Sequence, residues 1–119
     1  MKIWREFTFE AAHRLPRVPD GHKCGRLHGH SFRARIELEQ PVDADTGWTM
    51  DFGDLERICR PTIDRLDHRY LNEIDGLENP TSENIASWMW TQLTPLLHGL
   101  SSITIQETCR NACTVSREP

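Results

Sequence analysis

Two stretches of the chain, residues 2–13 and 28–39, alternate with a period of two, and nothing else in the sequence constrains the fold as tightly. In the first, Ile3, Phe7, Phe9, Ala11 and His13 share one face, while Trp4, Glu6, Thr8 and Glu10 share the other. Only Arg5 interrupts the apolar side. In the second, His28, His30, Phe32, Ala34, Ile36 and Leu38 point one way; Ser31, Arg33, Arg35, Glu37 and Glu39 point the other. Each pattern predicts a half-buried strand. Residues 14–27 between them hold Pro16, Pro19, Asp20-Gly21 and Gly25, and read as a loop.

Pro41 and the Asp45-Thr46-Gly47 turn end the second strand. Asp51 is placed to cap a helix running to about Leu66, with Leu55, Ile58 and Cys59 on one face. Pro61 is expected to kink that helix or divide it in two. Thr81 or Ser82 caps a second helix, with Glu83 in its first turn and Ile85, Met89, Leu93, Leu96 and Leu97 as its apolar stripe. Two further strands follow, Ser102–Thr108 with Ile103 and Ile105 inward, and Ala112–Ser116, joined by a hairpin at Arg110-Asn111. The order β-β-α-α-β-β, with local connections, predicts an α+β fold: an antiparallel four-stranded sheet with two main helices on one face. The other face then needs a cover, which self-association would supply and solvent is the alternative.

Composition bounds the function. At 119 residues, 37% hydrophobic and 27% charged, the chain reads as a single globular domain, residues 1–119. A net charge of −4 argues against broad nucleic-acid binding, and no apolar run is long enough for a bilayer or a signal peptide. The expected compartment is the cytoplasm, where Cys24, Cys59, Cys109 and Cys113 are thiols rather than a disulfide framework. The loop is an exception to the acidic balance: Arg14, Arg17, Lys23 and Arg26 against Asp20 sum to +3.

His28-Gly29-His30 puts two imidazoles on one side of an extended backbone, and His13 ends the preceding strand on its own inward face. If the strands pair, three neutral imidazoles converge in a set that suits a tetrahedral divalent ion, most readily zinc, with one open position. Strand-end histidines bonded to backbone or solvent are the plainer alternative. Cys24, four residues before His28 and among cations, is a candidate nucleophile or base, or else a fourth metal ligand that would close the site. Cys59 is expected to pack; no chemistry is assigned to Cys109 or Cys113. Asp67-His68 forms a possible proton shuttle, with a simple surface pair as the alternative. Glu107 continues the inward register of Ile103 and Ile105, so a carboxylate stands where an apolar residue is expected. It could take two parallel N–H groups of a guanine-like or pterin ring edge; an internal ion pair or an exposed strand end is the plainer alternative.

Together Phe7–His13, Cys24–His30, Leu66-Asp67-His68, Asn79–Glu83 and Gln106-Glu107-Thr108 resemble the 6-pyruvoyl-tetrahydropterin synthase family, from end to end and in the expected order. The resemblance implies the tunnelling fold (T-fold), whose subunits join their sheets into barrels with active sites between them, here as a tetramer or hexamer. It makes His13, His28 and His30 the ligands of one Zn2+ per subunit, Cys24 the proton-accepting base, and His68, held by Asp67, the rest of a proton relay. Glu107 becomes the pterin anchor, sometimes also counted in the relay, and Thr81, Ser82 and Glu83 line the pterin pocket. Three residues separate Cys24 from His28, as in the carboxy-forming bacterial branch; the pyruvoyl-forming branch has a longer gap. The activity implied is a zinc-dependent carbon–carbon lyase that turns 7,8-dihydroneopterin triphosphate into 6-carboxytetrahydropterin, releasing acetaldehyde and triphosphate, on the route to queuosine. Two rivals stand beside it: the same fold making the pyruvoyl product, and a non-catalytic zinc-stabilised module with Cys24 as a ligand.

Overall fold

The computed structural model describes residues 1–107 and 110–117. Strand β1, Lys2–His13, and strand β2, His28–Glu39, form the antiparallel ribbon that their alternation predicts, paired from Lys2↔Glu39 to His13↔His28. At about 3.3 Å per residue these strands run close to 40 Å, which makes the molecule long: its axes are 57, 29 and 26 Å. Helix α1 spans Phe52–Asp64, with the Asp51 carboxylate accepting the Asp54 N–H as its cap. Helix α2 spans Ser82–Leu93 and is capped by Thr81.

Arg69–Tyr70 add a short strand, β3; β4 runs Leu100–Gln106 and β5 Ala112–Ser116. The sheet order is β3-β1-β2-β4-β5. All pairings are antiparallel except β1 with β3, so the sheet is five-stranded and mixed rather than four-stranded and antiparallel. Two residues carry no readable period, which is why β3 leaves no trace in the pattern.

The inner faces of β1, β2 and β4 and the apolar sides of both helices close one core, in which Phe9 and Phe32 stack at 4.9 Å between ring centres. Leu55, Cys59, Ile85, Met89 and Leu93 are buried as expected, and Ile58 packs at the edge. Leu96 departs from its stripe: α2 ends at Leu93, and beyond it Leu97 turns inward while Leu96 faces out. Pro61 does not divide α1. It stands one turn from the helix end, so its missing N–H removes a single ladder bond, and buried Thr62 and Ile63 hold that turn against the core. The last described residue of this stretch, Glu107, lies just past β4, which ends at Gln106; Thr108 and Cys109 fall outside the described residues. On the outer face Trp4 is 47% exposed, with the Arg35 guanidinium 4.0 Å over its ring.

Candidate active site

The β1–β2 register sets His13 opposite His28 and Ala11 opposite His30, so three imidazoles meet at one end of the ribbon. One ring nitrogen from each lies within 4.8 Å of the other two. The Nδ1 of every ring faces a backbone carbonyl: His13 to Pro80 at 2.8 Å, His28 to Arg26 at 2.7 Å, His30 to Ser31 at 3.0 Å. A carbonyl only accepts, so each Nδ1 carries a proton, which makes Nε2 the ligand atom of the ring in its neutral form. His13 is 1% exposed and its Nε2 is buried without any hydrogen-bond partner. A buried lone pair left bare is costly unless something electropositive meets it. Burial also holds the His13 pKa below its ordinary 6.5, with His28 and His30 adding to that and the Pro80 carbonyl and Glu107 opposing it. The ring is therefore neutral at neutral pH. Three convergent imidazoles oriented through Nδ1 fit a divalent ion with an open fourth position.

Cys24 is not part of that cluster. It sits half-buried in a 3-10 turn, Lys23–Gly25, and its carbonyl accepts the Leu15 N–H at 2.9 Å. The turn leads straight into Arg26, whose carbonyl orients the His28 ring. Of the loop's cations, Arg14 and Arg26 line one cavity of about 210 Å³; Arg17 and Lys23 do not. Asn72 pins the loop's start, accepting the Arg14 N–H at 2.9 Å and donating to the Arg14 carbonyl at 2.7 Å.

Glu107 reaches the same end of the sheet. Its Oε1 accepts the Ser82 hydroxyl at 2.5 Å, and its Oε2 lies 3.8 Å from His30 Nε2. Thr81 serves as the α2 cap, and Glu83 is exposed beside it. Asp67 and His68 are bracketed by the backbone of Glu10: the Glu10 N–H donates to Asp67 Oδ1 at 2.9 Å, and the His68 N–H donates to the Glu10 carbonyl at 2.5 Å. His68 Nδ1 is 3.0 Å from the same Asp67 oxygen. The Glu10 N–H, then the His68 ring, hold the Asp67 carboxyl below the usual carboxylate range. His68 has φ +59, the left-handed region, and its side chain is 77% exposed. It shares a shallow groove of about 440 Å³ with His30, Gly29 and Tyr70. A Cβ at Gly29 would come within 3.3 Å of the Ala11 carbonyl oxygen, so glycine keeps the strands close there. Cys59 is fully buried, and burial pushes its thiol up to about 12, which leaves it inert packing.

The family model for 6-pyruvoyl tetrahydropterin synthase matches residues 2–118. The chain belongs to that family. Among its relatives, a 6-carboxy-5,6,7,8-tetrahydropterin synthase of Synechocystis is 46% identical over 116 residues, 92% of this chain and 88% of the relative. A protein of Archaeoglobus fulgidus described as a possible member of the same enzyme group is 42% identical over 72% of this chain and 70% of its own. The solved structure of 6-pyruvoyl tetrahydropterin synthase from Caenorhabditis elegans superposes with a TM-score of 0.90 at 28% identity, covering 99% of this chain and 96% of that one. The T-fold expected from the motifs is thus the fold of this family member.

Every histidine and carboxylate singled out in the sequence lies in the described structure, and the three metal-type histidines, Glu107 and Ser82 come together. Three roles went unread. The Pro80 carbonyl orients His13, the Glu10 backbone frames Asp67-His68, and Asn72 anchors the loop. The first two are main-chain groups, which no residue type announces.

Proposed function

We propose that the protein is a 6-carboxy-5,6,7,8-tetrahydropterin synthase: a zinc-dependent carbon–carbon lyase acting on 7,8-dihydroneopterin triphosphate, with 6-carboxytetrahydropterin, acetaldehyde and triphosphate as products, on the route to queuosine. The observation that carries it is the set of three convergent imidazoles with every Nδ1 tied to a carbonyl and the buried His13 Nε2 left without a partner. The Synechocystis relative, a 6-carboxy-5,6,7,8-tetrahydropterin synthase, supports the choice of product.

One zinc ion per subunit, on His13, His28 and His30, would supply Lewis acidity toward the substrate's side-chain hydroxyls. Glu107, oriented by the Ser82 hydroxyl, accepts the paired N–H groups of the pterin edge. Thr81 and Glu83 stand beside Ser82 at the same helix start and line the pterin pocket. Cys24 accepts a proton from the substrate side chain, and His68, oriented through Nδ1 by Asp67, carries a proton at Nε2 to or from the substrate. Arg14 and Arg26, which share one cavity, hold the triphosphate. The absence of Cys24 from the three-histidine cluster favours this reading over a closed structural zinc site.

The same reading treats residues 1–119 as one catalytic domain working in the cytoplasm as a homo-oligomer, a tetramer or hexamer. The half-exposed Trp4 face supports association, as do β3 and β5, the outer strands of the sheet among the described residues, since such edges invite pairing with another chain. Among the described residues no helix is long and apolar enough to cross a membrane. Incubating zinc-loaded protein with dihydroneopterin triphosphate and weighing the pterin formed tests the reaction. The expected mass is that of the carboxy product; a pyruvoyl pterin would reassign the protein to the sister activity.

A further inference from the structure

We propose that His22 is the positioning residue of Cys24. The imidazole of His22 caps the 3-10 turn, with its Nδ1 accepting the Cys24 N–H at 3.0 Å. Its main chain is tied on both sides: its N–H donates to the Pro19 carbonyl at 3.0 Å, and its carbonyl accepts the Gly25 N–H at 3.0 Å. Gly21, at φ +83, supplies the left-handed residue that lets the chain turn into this arrangement. The Cys24 carbonyl is held in turn by the Leu15 N–H. Both main-chain polar groups of Cys24 are therefore engaged, one of them by a side chain.

Asn, Asp, Ser and Thr are the usual residues for this task. An imidazole is larger, and because an N–H donates to Nδ1, the ring proton is fixed on Nε2. The turn it closes is also the backbone that reaches the metal-type histidines, since Arg26 donates to the Lys23 carbonyl at 3.2 Å and orients His28 with its own carbonyl. His22 thus sets one end of a short hydrogen-bonded segment and His28 the other, with Cys24 between. Losing the cap frees the Cys24 Cα–Cβ direction relative to His28, and small displacements of a reacting group are expensive in rate.

This inference rests on the reading of Cys24 as the proton acceptor. The test compares His22→Ala, His22→Asn and Cys24→Ala in the zinc-loaded full chain, by steady-state kinetics and by NMR exchange of the Cys24 amide. His22→Ala should lower kcat by about tenfold or more with KM little changed, and should speed exchange of the Cys24 amide. His22→Asn, which keeps an acceptor, should restore both. An unchanged kcat in His22→Ala overturns the proposal, as does an Asn variant that protects the amide yet stays slow. Cys24→Ala separates the two levels. If it retains turnover, the role of Cys24 itself is wrong; if it is inactive while His22→Ala is unimpaired, only the positioning role is.

Discussion

His13 Nδ1 donates to the carbonyl of Pro80, a residue 67 positions further along the chain, and this bond aims the buried Nε2 of His13 at the other two imidazoles. It joins the end of β1 to the start of α2, so the metal-type cluster is a tertiary contact as much as a chemical one. Occupancy of that cluster should stabilise the fold. At a thousandfold excess over Kd, binding to the folded state alone contributes about 4 kcal/mol. Chelation should lower Tm by roughly 10–20 °C for a chain of this size. His28→Ala, at a less buried ligand, should leave a folded protein without stoichiometric metal; elemental analysis finding full metal in that variant would remove His28 from the ligand set.

Acid should weaken the metal-free protein through His13. Its folded pKa lies below 6.5 because burial penalises the charged ring, so the unfolded chain binds the proton more readily. The stability from keeping the ring neutral is present above pH 6.5 and is lost as pH falls from there toward the depressed folded value. Melting curves of chelated protein at about pH 7.5 and about pH 5.5 should show a lower Tm in acid. Equal values at both would mean the ring charges freely in the fold.

In the proposed reaction Glu107 binds the pterin edge and Ser82 orients its carboxylate. Removing the Ser82 hydroxyl leaves Glu107 free to rotate, and a bond to a charged group contributes about 1.5–3 kcal/mol. Ser82→Ala should raise KM about tenfold with kcat nearly unchanged, and Glu107→Gln should raise it more, since the amide loses one acceptor and the charge. A Ser82→Ala enzyme with native KM would leave Glu107 oriented by something else.

His68, the proton carrier in the proposed reaction, stands on a backbone that prefers glycine. Its φ of +59 costs an L-residue about 1 kcal/mol, and Ala keeps that cost while Gly does not. Both His68→Ala and His68→Gly should lose at least about a hundredfold in kcat. The glycine variant should nevertheless unfold at higher denaturant than the alanine variant. The reverse order of stability would contradict the left-handed assignment.

Arg14 and Arg26 should matter more than their neighbours. The loop's net charge does not distinguish Arg14, Arg17, Lys23 and Arg26, but of the four only Arg14 and Arg26 line the cavity beside the 3-10 turn. Their alanine variants should raise KM for the triphosphate substrate by about tenfold or more, and Arg17→Ala and Lys23→Ala by about twofold at most. Four equal effects would indicate long-range steering instead.

The amino-acid order by itself determined what depends on near neighbours along the chain. Period-two alternation marked β1 and β2 to the residue, Asp51 and the Thr81-Ser82 pair marked the helix starts, and His28-Gly29-His30 with in-phase His13 marked the metal-type cluster. Side-chain direction in a strand and cap bonds at a helix start are set within a few residues, so they are written locally. Only the tertiary structure decided that β3 pairs parallel with β1, that Pro80 and Glu10 lend their main chains to the site, and that Ser82 meets Glu107 across 25 positions. Those contacts join segments far apart in sequence through groups every residue carries, or through pairings that exist only once the core has packed.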